Sequence, residues 1–300
     1  MGEVCSFAPP THQHNLEPSY RPAHLAIQRE ICYYCFMGAS FALGIRSGDA
    51  PRNTGQHAGT RRLRMLPRFR EYHRPASVAE ALTLLRRPTI RTVPLAGGTT
   101  LLCNPDPEIE AVVDLQDLPL GNVQLRDGWL HLGAMLRVQS LVEHPVLRRW
   151  AQGLVSRAAR ESAPLLTRNA ATLGGCVASG DSVDPLLLAL LALDSVVVLA
   201  LPERVERPLN SFLDEREGIL ASGVLITHVL LPPAGGRLGT SLLKVARTPA
   251  DRPILNGAAC LALDEAGCCQ KAVVALGGLG PHPVRLHTQE AALTGANQDA

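Results

Sequence analysis

The chain has 300 residues, 46% of them hydrophobic and 19% charged, with a formal net charge of +2. That is length for two packed units or one large one at roughly 100–200 residues per domain, and the composition can bury a sizeable core. The near-neutral balance excludes an overall cationic field aimed at nucleic acid or anionic lipid. Eight cysteines are too sparse for a disulfide scaffold in a chain this long. The lone Cys32-Tyr-Tyr-Cys35 lacks the second Cys or His pair that zinc needs. The N-terminal residues show no basic stretch leading into an apolar one, so no secretory signal is read. The longest apolar run, Leu186–Leu201, is interrupted by Asp194 and is shorter than the roughly 18 residues of a spanning helix. The expectation is a reduced, cytoplasmic protein with no membrane span and no nucleic-acid partner.

Residues 1–64 carry seven Arg against four acids, hold six of the 11 aromatics and show no sustained periodicity. Two readings fit: a disordered basic extension, or a start assigned upstream of Met65, where the ordered pattern begins. The second is favoured. From Arg70 the signals become regular. Ser77 with Glu80 three residues on makes a capping box for a helix Val78–Arg86. Strands are read at Thr92–Ala96, Val112–Leu115 and Trp129–Gly133. A short helix starts at Val138, and a longer one covers Val146–Ala159. Asp184-Pro185 is a strong helix start, with Asp capping and Pro at the first helical position. The helix Leu186–Leu193 and the β-branched strand Ser195–Leu201 follow. Pro232–Gly236 reads as a boundary. Beyond it, Ser241–Arg247, Ala258–Leu263 and Ala272–Gly277 read as strands, with a turn at Asp264–Gly267.

Two glycine pairs carry the chemistry. Glycine lets backbone N–H groups approach an oxyanion, and successive N–H groups form an anion-binding nest. Gly97-Gly98-Thr99-Thr100 and Thr172-Leu173-Gly174-Gly175, read as two loops, are both suited to phosphate. Together they suggest a dinucleotide pyrophosphate held between two subdomains; either alone is more often a plain turn. No P-loop, GxGxxG fingerprint, HExxH or GxSxG is present. The histidines are scattered, and no acid sits beside a plausible base. Catalytic groups and metal ligands are therefore not expected on this chain, and a cofactor is expected to carry the chemistry.

Five ordered segments resemble one family: Glu71–Pro75, Pro94–Thr99, Asn169–Gly175, Lys244–Arg247 and Ala275–Arg285. The family is the FAD-binding (medium) subunit of the molybdenum hydroxylases, the carbon monoxide dehydrogenase and xanthine dehydrogenase flavoproteins. The resemblance implies an α+β fold. A PCMH-type, vanillyl-alcohol-oxidase-like FAD-binding domain would cover residues 65–234, in subdomains of about 65–118 and 119–234. A small α+β flavoprotein C-terminal domain would cover 237–300. It implies non-covalent FAD, with the pyrophosphate gripped by Ala96, Gly97, Gly98, Thr99 and Thr100 and by Thr172, Leu173, Gly174, Gly175 and Cys176. Asp184 is expected near the ribose or adenosine end; as a residue it reads equally as a helix cap. Lys244 is expected near the isoalloxazine pyrimidine carbonyl, where a cation stabilises negative charge on the reduced ring. Its partners would be an iron–sulfur small subunit carrying [2Fe-2S] clusters and a molybdopterin large subunit, with electrons passing to an acceptor such as NAD, oxygen or a quinone.

The chain departs from the family pattern at two informative points. Cys176 stands where Asn or Asp is usual, and Asp251-Arg252-Pro253 replaces a segment with an aromatic. These changes motivate an alternative, a degenerate flavoprotein fold kept as an assembly scaffold. A stand-alone FAD oxidase is a third reading, for which no substrate base is visible.

Overall fold

The computed structural model describes residues 69–103, 106–201, 203–248 and 251–296. The expectations for residues 1–64 and for Cys32–Cys35 lie outside them. Three sheets organise the chain. The first is a small parallel sheet, β1 (Glu71–His73), β2 (Thr92–Leu95) and β3 (Ala111–Asp114), with β3 in the middle. Helix α1 (Val78–Leu85) crosses from β1 to β2. Its predicted cap is present: Ser77 Oγ accepts from the Glu80 amide at 3.2 Å, and the Glu80 carboxylate accepts from the Ala76 amide at 2.9 Å. The helix buries Ala81, Leu82 and Leu85 against Val113, Leu115, Leu118 and Leu120.

The second sheet has the order β4 (Val123–Arg126), β5 (Trp129–Gly133), β8 (Leu225–Leu231), β6 (Val196–Ala200) and β7 (Arg204–Pro208), and its pairs are antiparallel. Its central strand, β8, is not among the predicted elements. The run LITHVLL is buried at every position but His228, so it lacks the alternation that marks a half-exposed strand. Between β5 and β6 come five helices: α3 (Val138–Glu143), α4 (Leu154–Ser162), α5 (Leu165–Ala170), α6 (Leu173–Ser179) and α7 (Pro185–Ala192). All eight residues of α7 are buried, as a helix apolar on every side must be. The apolar run that begins there is thus a core helix followed by β6. Among the described residues no helix is long and apolar enough to cross a membrane.

The predicted helix Val146–Ala159 is interrupted. Residues Trp150–Gly153 form a 3₁₀ turn in which Ala151, Gln152 and Gly153 have φ of 45°, 55° and 72°. Periodicity gives no warning, because the bend is held from outside. The Gln152 side-chain amide donates to Leu238 O at 2.6 Å and accepts from the Thr240 amide at 3.0 Å. Those partners lie on the third sheet.

That sheet, β9 (Arg237–Val245), β10 (Leu255–Leu263), β11 (Cys269–Gly277) and β12 (Val284–Arg285), is antiparallel with β9 at one edge. Its strands begin three or four residues before the predicted bounds. Helix α7 packs against β10 and β11. At its C-terminal end Asp194, with φ 57°, accepts from Lys271 and Arg285 at 2.5 Å each. Arg285 in turn pairs at 2.8 Å with Glu290, a buried acid on the last helix, α10 (His287–Leu293). Helices α8 (Leu209–Asp214) and α9 (Arg216–Ala221) complete the second layer.

Candidate functional site

The two glycine segments come together. Strand β2 delivers Ala96 and Gly97 onto the Ala170–Ala171 backbone, where a Cβ on Gly97 would stand 2.0 Å from Ala170 O. Only a glycine permits that approach. Gly98 follows with φ +71°, and Thr99 and Thr100 open α2 (Thr99–Cys103). The amides of Gly98, Thr99 and Thr100 have no protein acceptor among the described residues. Consecutive donors at and after a left-handed glycine are suited to an anion nest.

The second segment differs in kind. Thr172, expected in a loop, is the N-cap of α6, and its Oγ1 accepts from the Gly175 amide at 3.2 Å. The other amides of that turn are also committed. Leu173 donates to Leu136 O at 2.9 Å, Gly174 to Ala134 O at 2.8 Å and Cys176 to Thr172 O at 3.0 Å. Gly174 is required by packing, since a Cβ there would meet the Ala134 methyl at 2.8 Å. One glycine pair therefore supplies donors, while the other supplies a rigid wall that presses on its neighbour.

Cys176 and Asp184 meet at the far side of α6. Asp184 caps α7, accepting from the Leu186 amide at 2.9 Å. Burial pushes its carboxyl up to about 7; Asp181 adds to this, while the Leu186 amide, Cys176 and Arg252 oppose it. Burial also pushes the Cys176 thiol well up, with Asp184 and Asp181 in the same direction. The pair is thus neutral or singly charged near pH 7, with the carboxyl poised between its two forms.

Lys244 lies on β9, opposite Asn256 of β10. It shares a strand face with Leu238 and Leu242, which pack on the main core, and with Thr240, which reaches Ala151 and Gln152. The pleat therefore turns Lys244 inward. Asn256 connects this strand to the Asp184 segment: its Nδ2 donates to Val183 O at 3.0 Å, and its buried Oδ1 has no hydrogen-bond partner. Asn256 was not among the residues singled out in the sequence; Arg252 was, as a departure from the family pattern, but not for its ion pair with Asp181 at 2.5 Å. The available signal was a polar side chain amid small apolar ones in a predicted strand approach. No group of three His, Cys, Asp or Glu side chains gathers as a metal site among the described residues.

A parallel three-stranded unit and an antiparallel sheet backed by helices meet at this run of uncommitted amides, and the comparisons define the class as an FAD-binding oxidoreductase subunit. The model of the FAD binding domain in molybdopterin dehydrogenase matches residues 67–234, and the chain belongs to that family. It is 26% identical over 239 residues to the nicotinate dehydrogenase FAD-subunit of Eubacterium barkeri, covering 75% of this chain and 80% of that protein. It is 29% identical over 238 residues to the caffeine dehydrogenase subunit beta of Pseudomonas sp. (strain CBB1), covering 77% and 80%. The fold is similar to that of a chain of carbon monoxide dehydrogenase from Hydrogenophaga pseudoflava, with a TM-score of 0.69, 24% identity and coverage of 78% and 83%.

Proposed function

We propose that the chain is the electron-transferring flavin subunit of a heteromeric molybdenum hydroxylase in the cytoplasm. It would be organised as the flavin unit 65–234, in subdomains of about 65–118 and 119–234, and a C-terminal unit 237–300. The observation that carries the reading is the junction of Gly97 with Ala170–Ala171, which sets the uncommitted amides of residues 98–100 beside the α6 wall. The residues present fit FAD. Gly98, Thr99 and Thr100 would donate to the pyrophosphate, and Ala96, Gly97 and the Thr172–Cys176 turn would form the walls. Asp184 would accept from a sugar hydroxyl, and Lys244 would lend positive charge to the ring. Bound FAD supplies the exchange between two-electron and one-electron chemistry. This chain's part is to bind, orient and electrostatically bias it. An iron–sulfur small subunit and a molybdopterin large subunit would deliver the electrons, and a small acceptor such as NAD, oxygen or a quinone would take them. The names of the relatives, subunits of dehydrogenases, support this arrangement.

The test is a visible spectrum and an FAD titration of the purified chain, alone and co-expressed with its partner subunits. Flavin absorption with saturable binding is the expected result; no uptake in either form sinks the proposal. The committed amides of residues 173–176 favour one rival, a scaffold of flavoprotein fold without a redox role. Substitutions at Gly97 or Gly174 do not separate the two, because each fails sterically in either case. Lys244→Ala does separate them: the scaffold reading requires unchanged turnover of the assembled complex.

A further inference from the structure

The C-terminal sheet grips one short strap of the flavin unit at three consecutive residues. Arg252 pairs with Asp181 at 2.5 Å. The Gly278 amide donates to Ser182 O at 3.1 Å. Asn256 Nδ2 donates to Val183 O at 3.0 Å. The next residue is Asp184. Asn256 is 1% exposed, in the second strand of the sheet, directly opposite Lys244 on one side and Gly277 on the other. Gly277 makes the room: a Cβ there would stand 2.1 Å from Asn256 Oδ1 and 2.3 Å from Ser182 O.

An asparagine is a poor choice for this position on packing grounds. Strand interiors disfavour it, and here one of its two polar ends is buried without a partner. A core position selected for stability alone would not keep an uncompensated acceptor. What the side chain does accomplish is to fix the carbonyl immediately before Asp184, from a strand position in register with Lys244. It thereby ties the two ends of the candidate flavin site, a helix cap and a strand of the C-terminal sheet, to a single side chain.

We propose that Asn256 is a positioning residue for the flavin site, holding the 181–183 strap so that Asp184 faces the cofactor while Lys244 stays in register with it. Arg252 supports the same strap from the surface. The inference rests on the flavin reading above. The groups facing Asp184 are Cys176 on α6, Asp181 on the strap and Arg252 on the C-terminal sheet's approach. Without the Asn256 contact the strap relaxes toward water, and Asp184 titrates closer to the ordinary carboxylate range.

The experiment titrates FAD into the full-length protein from pH 5.5 to 8.5, following flavin fluorescence, for wild type, Asn256→Ala, Arg252→Ala and Asp184→Asn. Wild type is expected to bind more tightly as pH rises through about 7, because a carboxylate accepts a hydroxyl more strongly than a carboxylic acid does. Asp184→Asn abolishes that pH step. Asn256→Ala weakens FAD by roughly tenfold at pH 7.5 and moves the step toward lower pH. Arg252→Ala, at a side chain 56% exposed, leaves folding intact and raises the pH of the step, because its charge favours the ionised form. A merely structural Asn256 would lower the melting temperature without moving the step, and that outcome overturns the proposal. Should Asn256→Ala not fold, Asn256→Ser, which also loses the contact to Val183 O, is titrated in its place, and an unmoved step there overturns the proposal equally. A wild type that takes up no FAD refutes the flavin reading itself, whereas uptake with unmoved variants refutes only this inference.

Discussion

Asp184→Asn should make the cofactor-free protein more stable, by an amount that grows as pH rises from acid to neutral. The replacement keeps the shape and remains a good N-cap for α7, so the hydrogen bond from the Leu186 amide survives. What it removes is a buried charge. Burial raises the Asp184 carboxyl from an ordinary 3.8 to about 7. The folded state thus retains a proton that the unfolded chain has already released, and wild type loses stability as pH rises through that interval. About three pK units at about 1.4 kcal/mol each come to about 4 kcal/mol above pH 7. At pH 4.5 the same linkage leaves about 1 kcal/mol. Urea unfolding of the FAD-free protein at pH 4.5 and pH 8, followed by tryptophan fluorescence, reads this directly. The gap between variant and wild type should widen from about 1 to about 4 kcal/mol. A gap independent of pH, or a variant less stable than wild type at pH 8, would refute the reasoning. A site that keeps such a carboxyl despite its cost is consistent with a ligand that uses it.

Gly97→Ala should be severely destabilising, by about 3 kcal/mol or more, because its Cβ would meet a backbone carbonyl at 2.0 Å; thermal melts check this. Gly98→Ala, at φ +71°, should cost only about 1 kcal/mol of stability yet weaken FAD measurably in a fluorescence titration. Arg285→Ala leaves the buried Glu290 only the Val274 amide and His287 and removes one of the two cations on Asp194, so a loss of about 3 kcal/mol is expected in urea. Lys244→Ala should lower the flavin midpoint potential, by about 30 mV for each 1.4 kcal/mol of anion stabilisation lost, with little change in melting temperature; spectroelectrochemistry reads the shift.

Much of the local structure was legible in the sequence because its causes are local. Ser77 with Glu80 and Asp184 with Pro185 mark helix starts by hydrogen bonds that span two or three residues. The strands Thr92–Leu95 and Trp129–Gly133 stand where their patterns put them. The all-apolar helix 185–192 could be recognised as core, since nothing on it faces water. Both glycine pairs announced themselves, because the absence of a Cβ is a property of the residue. What each absence is for was not legible. Tertiary structure decided that Gly97 admits the Ala170 carbonyl, that Gly98 supplies a left-handed turn and that Gly174 fits beneath Ala134. The bend at 150–153 depends on Thr240 and Leu238, more than 80 residues away. The importance of Asn256 depends on a carbonyl 73 residues distant. A sequence records each residue's own conformational and chemical limits. Which donor remains uncommitted, and which carboxyl is kept from water, is fixed only when distant segments close around it.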